Sequence, residues 1–130
     1  PYSDEEGLGP VLWPDHCVQK TEGAKFHKEI KTENFDYILR KGVDSKVDSY
    51  SAFYDNDGSD LGLAALLKSQ DIDEVDIIGL AFDYCVKFTA LDSAKNNFKT
   101  NVILEATRAV SPENNKETKA ELKEAGVNFK

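Results

Sequence analysis

A chain of 130 residues with 40% apolar content suffices for one domain around one core and leaves little for a second. Its formal net charge of -8 argues against nucleic acid as a partner, because phosphate contacts need clustered Lys and Arg that this sequence scatters among acids. No apolar run nears the roughly 18 residues of a membrane span and no charged-then-apolar leader opens the chain, so a soluble, cytoplasmic protein is expected, with a nuclear or peroxisomal address as the alternative in a eukaryote.

Pro1 to Pro10, PYSDEEGLGP, mixes prolines and glycines with polar residues and reads as a loop, not a core strand. In Trp13 to Thr21, WPDHCVQKT, His16 follows a proline-constrained turn and Trp13 offers a flat aromatic wall. Ala24 to Ile30 is assigned to loop. Phe35 to Arg40, FDYILR, has the composition of a strand and runs into Lys41-Gly42, a turn signal that puts Lys41 at a strand's carboxyl end. Val43 to Gly58 is polar, with Tyr50, Phe53 and Tyr54 interleaved and the turn signal Asn56-Asp57-Gly58; it reads as a long ordered loop, a kind that is often functional.

From Leu61 the apolar residues recur at Leu61, Leu63, Ala64, Leu66 and Leu67, a helical stripe that stops before Asp71. Val75 to Ala81, VDIIGLA, is the near-continuous apolar run of a strand covered on both faces. Asp83 is placed as the N-cap of a helix through Ala94 whose apolar face includes Val86, Ala90 and Leu91. Val102 to Leu104 is the next buried strand. Ser111-Pro112 reads as an N-cap followed by a helix-first proline, the helix runs through Leu122 to Gly126, a suitable residue just past a helix end, and Val127 to Phe129 is a short final strand. This alternation specifies right-handed crossovers and a parallel sheet with helices on both faces, an α/β protein. Ligands in such folds sit at the carboxyl ends of the strands, the edge to which Lys41 and Ala81 to Cys85 both map.

The two cysteines, Cys17 and Cys85, have no CxxC spacing, which argues against a disulfide framework. A cysteine taken at random is most often a small buried hydrophobe. Cys85, though, lies in the first turn of a helix just after a strand, where unpaired N–H groups and the helix dipole favour a thiolate nucleophile. Lys41, at a strand end of the same sheet, can reach such a turn, although on spacing alone it reads as a solvated surface lysine. His16 by itself is weak evidence for a metal, since zinc sites take about three or four protein ligands. His27 has no helical spacing to it, and Cys17, adjacent on an extended segment, points the other way and is read as packing.

Three stretches, WPDHCVQKTEGAKFH, then RKG followed by DSYSAF, then GLAFDYCVKFTALDSAKNNFKTNVILEATRAV, taken in that order, resemble the nicotinamidases (pyrazinamidase-like) of the isochorismatase-like hydrolase superfamily. The resemblance covers nearly the whole chain after Gly9. It implies a three-layer α/β/α fold with a parallel sheet, a single domain over residues 1–130, and, against the family's pattern, the lack of the N-terminal strand. It implies a Cys-Lys-Asp catalytic set, of which Cys85 from DYCV and Lys41 from RKG carry over. It further implies an oxyanion hole from the N–H groups of Ala81 and Cys85, with a non-proline cis peptide between Leu80 and Ala81. Trp13 and Tyr50 match the family's pocket walls, with Leu80 and Tyr84 as further substrate contacts. His16 matches one ligand of a divalent metal, zinc foremost with iron or manganese as alternatives, that holds the pyridine nitrogen of the substrate.

The implied activity is hydrolysis of nicotinamide, or an analogue, to nicotinate and ammonia through a cysteine thioester, a step of NAD salvage. The partner is then a small molecule, not nucleic acid or membrane, and self-association into a homo-oligomer stays open. Two family motifs do not occur in this sequence: the V-D-x-Q strand that carries the catalytic Asp, and the D-x-H motif with the other metal ligands. Asp4, Asp15 and Asp83 do not take that Asp's place, so the role is assigned to no residue. Two alternatives remain. Another hydrolase of the superfamily, acting on an ether or an N-carbamoyl amide, is disfavoured by Trp13 and His16 in WPDHC. A catalytically inactive binding or oligomerisation module is favoured by the missing Asp and disfavoured by Cys85 and Lys41.

Overall fold

The computed structural model describes Gly7 and residues 9–130; most of the loop expected over 1–10 lies outside the described residues. The regular elements are α1 (Leu63–Ser69), β1 (Glu74–Leu80), a π-helical turn (Phe82–Val86), α2 (Lys87–Lys95), β2 (Lys99–Arg108), α3 (Asn115–Glu124) and β3 (Asn128–Phe129). The strands form a parallel sheet in the order β1-β2-β3, the expected α/β class. Both crossovers step in the same direction, and connections of one hand that do so put their helices on the same face. That face is built from Val86 and Ala90, Val102 and Leu122, closed by Phe82 and Val127. A second cluster of Phe53, Ala64 and Phe98 seats α1 against the start of β1 through Val75.

Side-chain alternation along β1 separates the two faces. Val75 and Ile77 point toward the helices, whereas Glu74, Asp76, Ile78 and Leu80 are exposed, Ile78 at 62% and Leu80 at 72%. On this open face the amide of Asn101, itself 2% exposed, donates to Glu74 at 2.8 Å and Asp76 at 2.7 Å. The Lys130 ammonium lies 2.7 Å from Asp76 and the Lys99 ammonium 3.1 Å from Glu74. These contacts hold both carboxyls below their ordinary range, Glu74 chiefly through Asn101 and Asp76 chiefly through Lys130, and Asp76 in turn raises Lys130.

All three helices end in the same way. After α3, Gly126 takes φ +84°, its N–H donates to the Lys123 carbonyl at 3.0 Å, and the Val127 N–H donates to the Leu122 carbonyl at 2.9 Å. This paired closure satisfies carbonyls that the helix leaves open. Asp71 and Asn97, at φ +55° and +67°, close α1 and α2 with equivalent bonds, so the chain turns sharply into each following strand.

Some expectations need correction. Phe35–Arg40 is not a strand: it takes no part in the ladder, and Tyr37, Ile38 and Leu39 are about half exposed. Strand propensity is expressed only against a partner, and no described strand lies beside it. Asp83 is not an N-cap; it sits inside the π-helical turn, 5% exposed, with its carboxylate turned to the loop after β2. Ser111 precedes a short 3-10 turn, Pro112–Asn114, and α3 begins only at Asn115. Cys17 does not pack inside: it is exposed, at φ +49°. The long loop over Val43–Gly58 does form, and it closes at its predicted turn, where the Gly58 N–H donates to the Asp55 carbonyl at 2.9 Å. Among the described residues, no helix is long and apolar enough to cross a membrane.

Candidate active site

β1 stops at Leu80, the peptide from Leu80 to Ala81 is cis, and the chain turns at once into Phe82–Val86. The N–H groups of Tyr84 and Val86 both donate to the Ala81 carbonyl, at 3.1 and 3.0 Å. Cys85 lies between these two donors, at the carboxyl end of β1 and the entrance to α2. Phe82 and Val86 anchor the turn in the core, which leaves Cys85 partly exposed.

Lys41 arrives from the other end of the described chain. Its ammonium lies 3.7 Å from the Cys85 sulfur, across 44 residues of sequence, and also donates to the Ser49 carbonyl. The second contact fixes the first. Ser49 opens the one well-buried stretch of the loop, Ser49 to Ser51 and Phe53. That stretch is tied to α2 by the Ala52 N–H, which donates to the Thr89 hydroxyl at 3.0 Å. Thr89 lies one helical turn beyond Cys85 and so shares its side of the helix. A positive charge held there stabilises an anion on the sulfur.

An aromatic wall stands beside the pair. The Trp13 indole N–H donates to the Tyr50 hydroxyl at 3.0 Å. Trp13 and Tyr50 both meet Tyr84 edge-on, at 4.8 and 5.6 Å between ring centroids, and Tyr50 stacks on Phe88 at 5.4 Å. Burial raises the Tyr50 phenol above its ordinary range, and Asp48 adds to the rise while the Trp13 N–H opposes it. The hydroxyl therefore stays neutral and available to accept from Trp13. A groove of about 660 Å³ touches the wall through Tyr50, Tyr84 and Phe88. A second hollow, about 820 Å³, touches the site through Lys41. Cys85 lines neither hollow; its side chain is partly exposed.

Of the residues singled out in the sequence, Lys41, Cys85 and Ala81 are brought together, and Trp13, Tyr50 and Tyr84 form one contact group next to them. Leu80 is different: its side chain is exposed on the open face of the sheet. Ser49, Thr89 and Phe88 were not singled out. Phe88 was legible, since it follows Tyr84 at helical spacing, whereas the Ser49 carbonyl has no signature in sequence.

His16 is exposed, with Nδ1 2.6 Å from the Pro14 carbonyl. A proton on Nδ1 would satisfy that contact and leave Nε2 as a ligand atom, the usual support for a metal-binding histidine. Yet no group of three or more His, Cys, Asp or Glu side chains converges among the described residues, so they do not by themselves fit a metal centre.

A cysteine at a strand-to-helix turn has a lysine ammonium at its sulfur, and comparison places the chain in a family. The isochorismatase domain model matches residues 3–129; the chain belongs to the isochorismatase domain family. Among curated proteins it is similar to the nicotinamidase of Escherichia coli, 41% identical over 94% of this chain and 59% of the relative. Among solved structures it is similar to PnC1 from L. infantum in complex with nicotinate, at a TM-score of 0.90 and 40% identity over 96% of this chain and 66% of the other. The pyrazinamidase of Pyrococcus horikoshii in complex with zinc aligns at a TM-score of 0.79 and 33% identity over 94% of this chain and 63% of that one. The chain thus spans less than two thirds of the length of these relatives.

Proposed function

We propose that a protein carrying this chain hydrolyses nicotinamide, or a close pyridine or pyrazine carboxamide, to the acid and ammonia. The observation that carries the reading is the 3.7 Å contact between the Lys41 ammonium and the Cys85 sulfur. The relatives named nicotinamidase and the related structure with nicotinate support the substrate class.

The Cys85 thiolate adds to the carboxamide carbon, and the electron pair of the C=O moves onto oxygen, toward the N–H groups of Ala81 and Cys85. The C–N bond then breaks as the nitrogen takes up the proton the thiol had given, and ammonia leaves a thioester. Water adds to the thioester carbon and the C–S bond breaks, which releases nicotinate and restores the sulfur. Lys41 holds the sulfur anionic before attack and after release. The ring of the substrate packs against Trp13, Tyr50 and Tyr84, with Leu80 at the edge of the same turn. The proton carrier between thiol and leaving group is assigned to no residue of this chain. A divalent metal, zinc by analogy with the P. horikoshii structure, would take His16 as one ligand, and no step above passes through it.

Ammonia release from nicotinamide tests the proposal. A protein carrying the chain turns over, and its Cys85→Ala form does not; turnover that survives this change overturns the nucleophile, and no turnover from the unsubstituted protein with any pyridine or pyrazine carboxamide overturns the reaction.

A further inference from the structure

Asp83 is a buried carboxylate that the reaction above does not use. It is 5% exposed, two residues before Cys85, and both of its oxygens are engaged by the loop that follows β2. The Val110 N–H donates to Oδ1 and the Ser111 N–H to Oδ2, each at 2.9 Å. A carboxylate desolvated to this degree is retained at a cost unless its acceptors are filled, and here two backbone donors from successive residues fill them. Val110 is 55% exposed, and the Ser111 carbonyl accepts from the Asn114 N–H at 2.9 Å.

The turn that carries Cys85 is therefore held at two points. Lys41, fixed by Ser49, reaches the sulfur from the loop side. Asp83 pins the same turn to the connection between β2 and α3. The core residues Phe82 and Val86 fix the height of the turn over the sheet, and the two bonds to Asp83 add a tether from the connection between β2 and α3. A shift of the turn would carry the sulfur away from an ammonium whose own place is set by the Ser49 carbonyl.

We propose that Asp83 is a positioning residue: through Val110 and Ser111 it tethers the Phe82–Val86 turn and thereby holds the Cys85 sulfur against the Lys41 ammonium. It touches no substrate and moves no proton. The role rests on Cys85 being the nucleophile of the proposed reaction, but its test does not need turnover.

The probe is the rate of Cys85 alkylation by iodoacetamide as a function of pH, in a Cys17→Ser background so that the exposed second thiol does not contribute. Asp83→Asn keeps one acceptor and sets an amide N–H against a backbone N–H. If Asp83 positions the turn, its loss draws the sulfur from Lys41 and the alkylation profile moves to higher pH. If its charge alone matters, removing a nearby anion moves the profile to lower pH. In a Lys41→Gln background the Asp83→Asn change should move the profile no further, because the contact it protects is already gone. Where turnover is measured, kcat should fall about 10²-fold with KM nearly unchanged, the size expected when a reacting group is displaced by about 1 Å.

A folded Asp83→Asn chain whose profile stays in place or moves to lower pH overturns the proposal. So does full additivity with Lys41→Gln. Asp83→Glu, which keeps the charge on a longer arm, should give the same upward shift in smaller measure. Amide exchange in the unsubstituted chain decides independently of any variant: the Val110 and Ser111 amides should exchange at least about tenfold more slowly than open loop amides, and unprotected rates would sink the idea. Alkylation reads the sulfur whether or not nicotinamide is cleaved, so a failed substrate and a failed role for Asp83 are told apart.

Discussion

The two parts of the molecule are built on different terms. Among the described residues, 63–130 hold every strand and α-helix and the whole Phe82–Val127 core. Residues 9–62 hold two short 3-10 turns, Glu22–Ala24 and Thr32–Asn34, and leave Phe26, Ile30, Phe35, Ile38 and Leu39 exposed. The candidate catalytic pair draws one member from each. Cys85 comes from the packed part and Lys41 from the open part, and the buried loop from Ser49 to Phe53 joins the two parts, helped by Trp13 against Tyr84 and by Tyr54 against Asn96. Stability and chemistry are thus separable: substitutions in the buried core should unfold the chain, and those at the candidate pair should disable the site without unfolding it.

The largest separation is expected at the pair itself. Cys85→Ala should lower nicotinamide hydrolysis by at least about 10⁴-fold, as loss of a nucleophile does, and Lys41→Ala by about 10²-fold or more. Both should leave the midpoint of urea unfolding nearly in place, since Lys41 is exposed and Cys85 partly so. A marked loss of stability in either would erase the contrast between the parts.

Next come paired truncations of leucine. Leu122 is fully buried on α3 and Leu39 is 52% exposed. Leu122→Ala should cost about 2–5 kcal/mol, and Leu39→Ser no more than about 0.5 kcal/mol in this chain. Equal losses by denaturant titration would show that Phe35–Arg40 is packed after all. At the joint, Thr89→Val removes the acceptor of the Ala52 N–H. It should cost about 1–3 kcal/mol and speed amide exchange from Ser49 to Phe53 more than anywhere in α2. Uniform speeding would mean that the loop does not open on its own.

The smallest effect is electrostatic and belongs to the open face. Folded Glu74 and Asp76 bind protons less readily than in the unfolded chain, so the unfolded state holds more protons near pH 4 and stability rises with pH there. Their contribution is present above the ordinary carboxylate range and is lost as pH falls through the lowered values. Lys130 is raised, so its contribution is present below the ordinary lysine range and lost as pH climbs through the raised value. Asp76→Asn should therefore lower thermal stability modestly at neutral pH, and the difference should shrink as acid is added. A difference that grows in acid would assign the effect to something other than these ion pairs.

Much of the fold was legible because it is local. The stripe at Leu61 to Leu67, the run VDIIGLA and the glycine after α3 each carry their own instruction in spacing or backbone freedom, and α1, β1 and the α3 closure appear within a few residues of where those signals lie. Phe35–Arg40 carries an equally good local signal and forms no strand, because ladder bonds need a neighbour and side-chain composition cannot supply one. Asp83 misled for a related reason. An aspartate before an apolar helical stripe is a good N-cap, but a distant pair of N–H groups at Val110 and Ser111 outcompeted the local ones.

Residue by residue, then, the sequence itself determined the α/β alternation, the strand-to-helix setting of Cys85 and, by resemblance, the pairing with Lys41. Tertiary structure alone decided how that pairing is held. The Ser49 carbonyl, the Thr89 hydroxyl and the Asp83 carboxylate act across long separations, and each is an ordinary polar group until packing removes water and leaves it one partner.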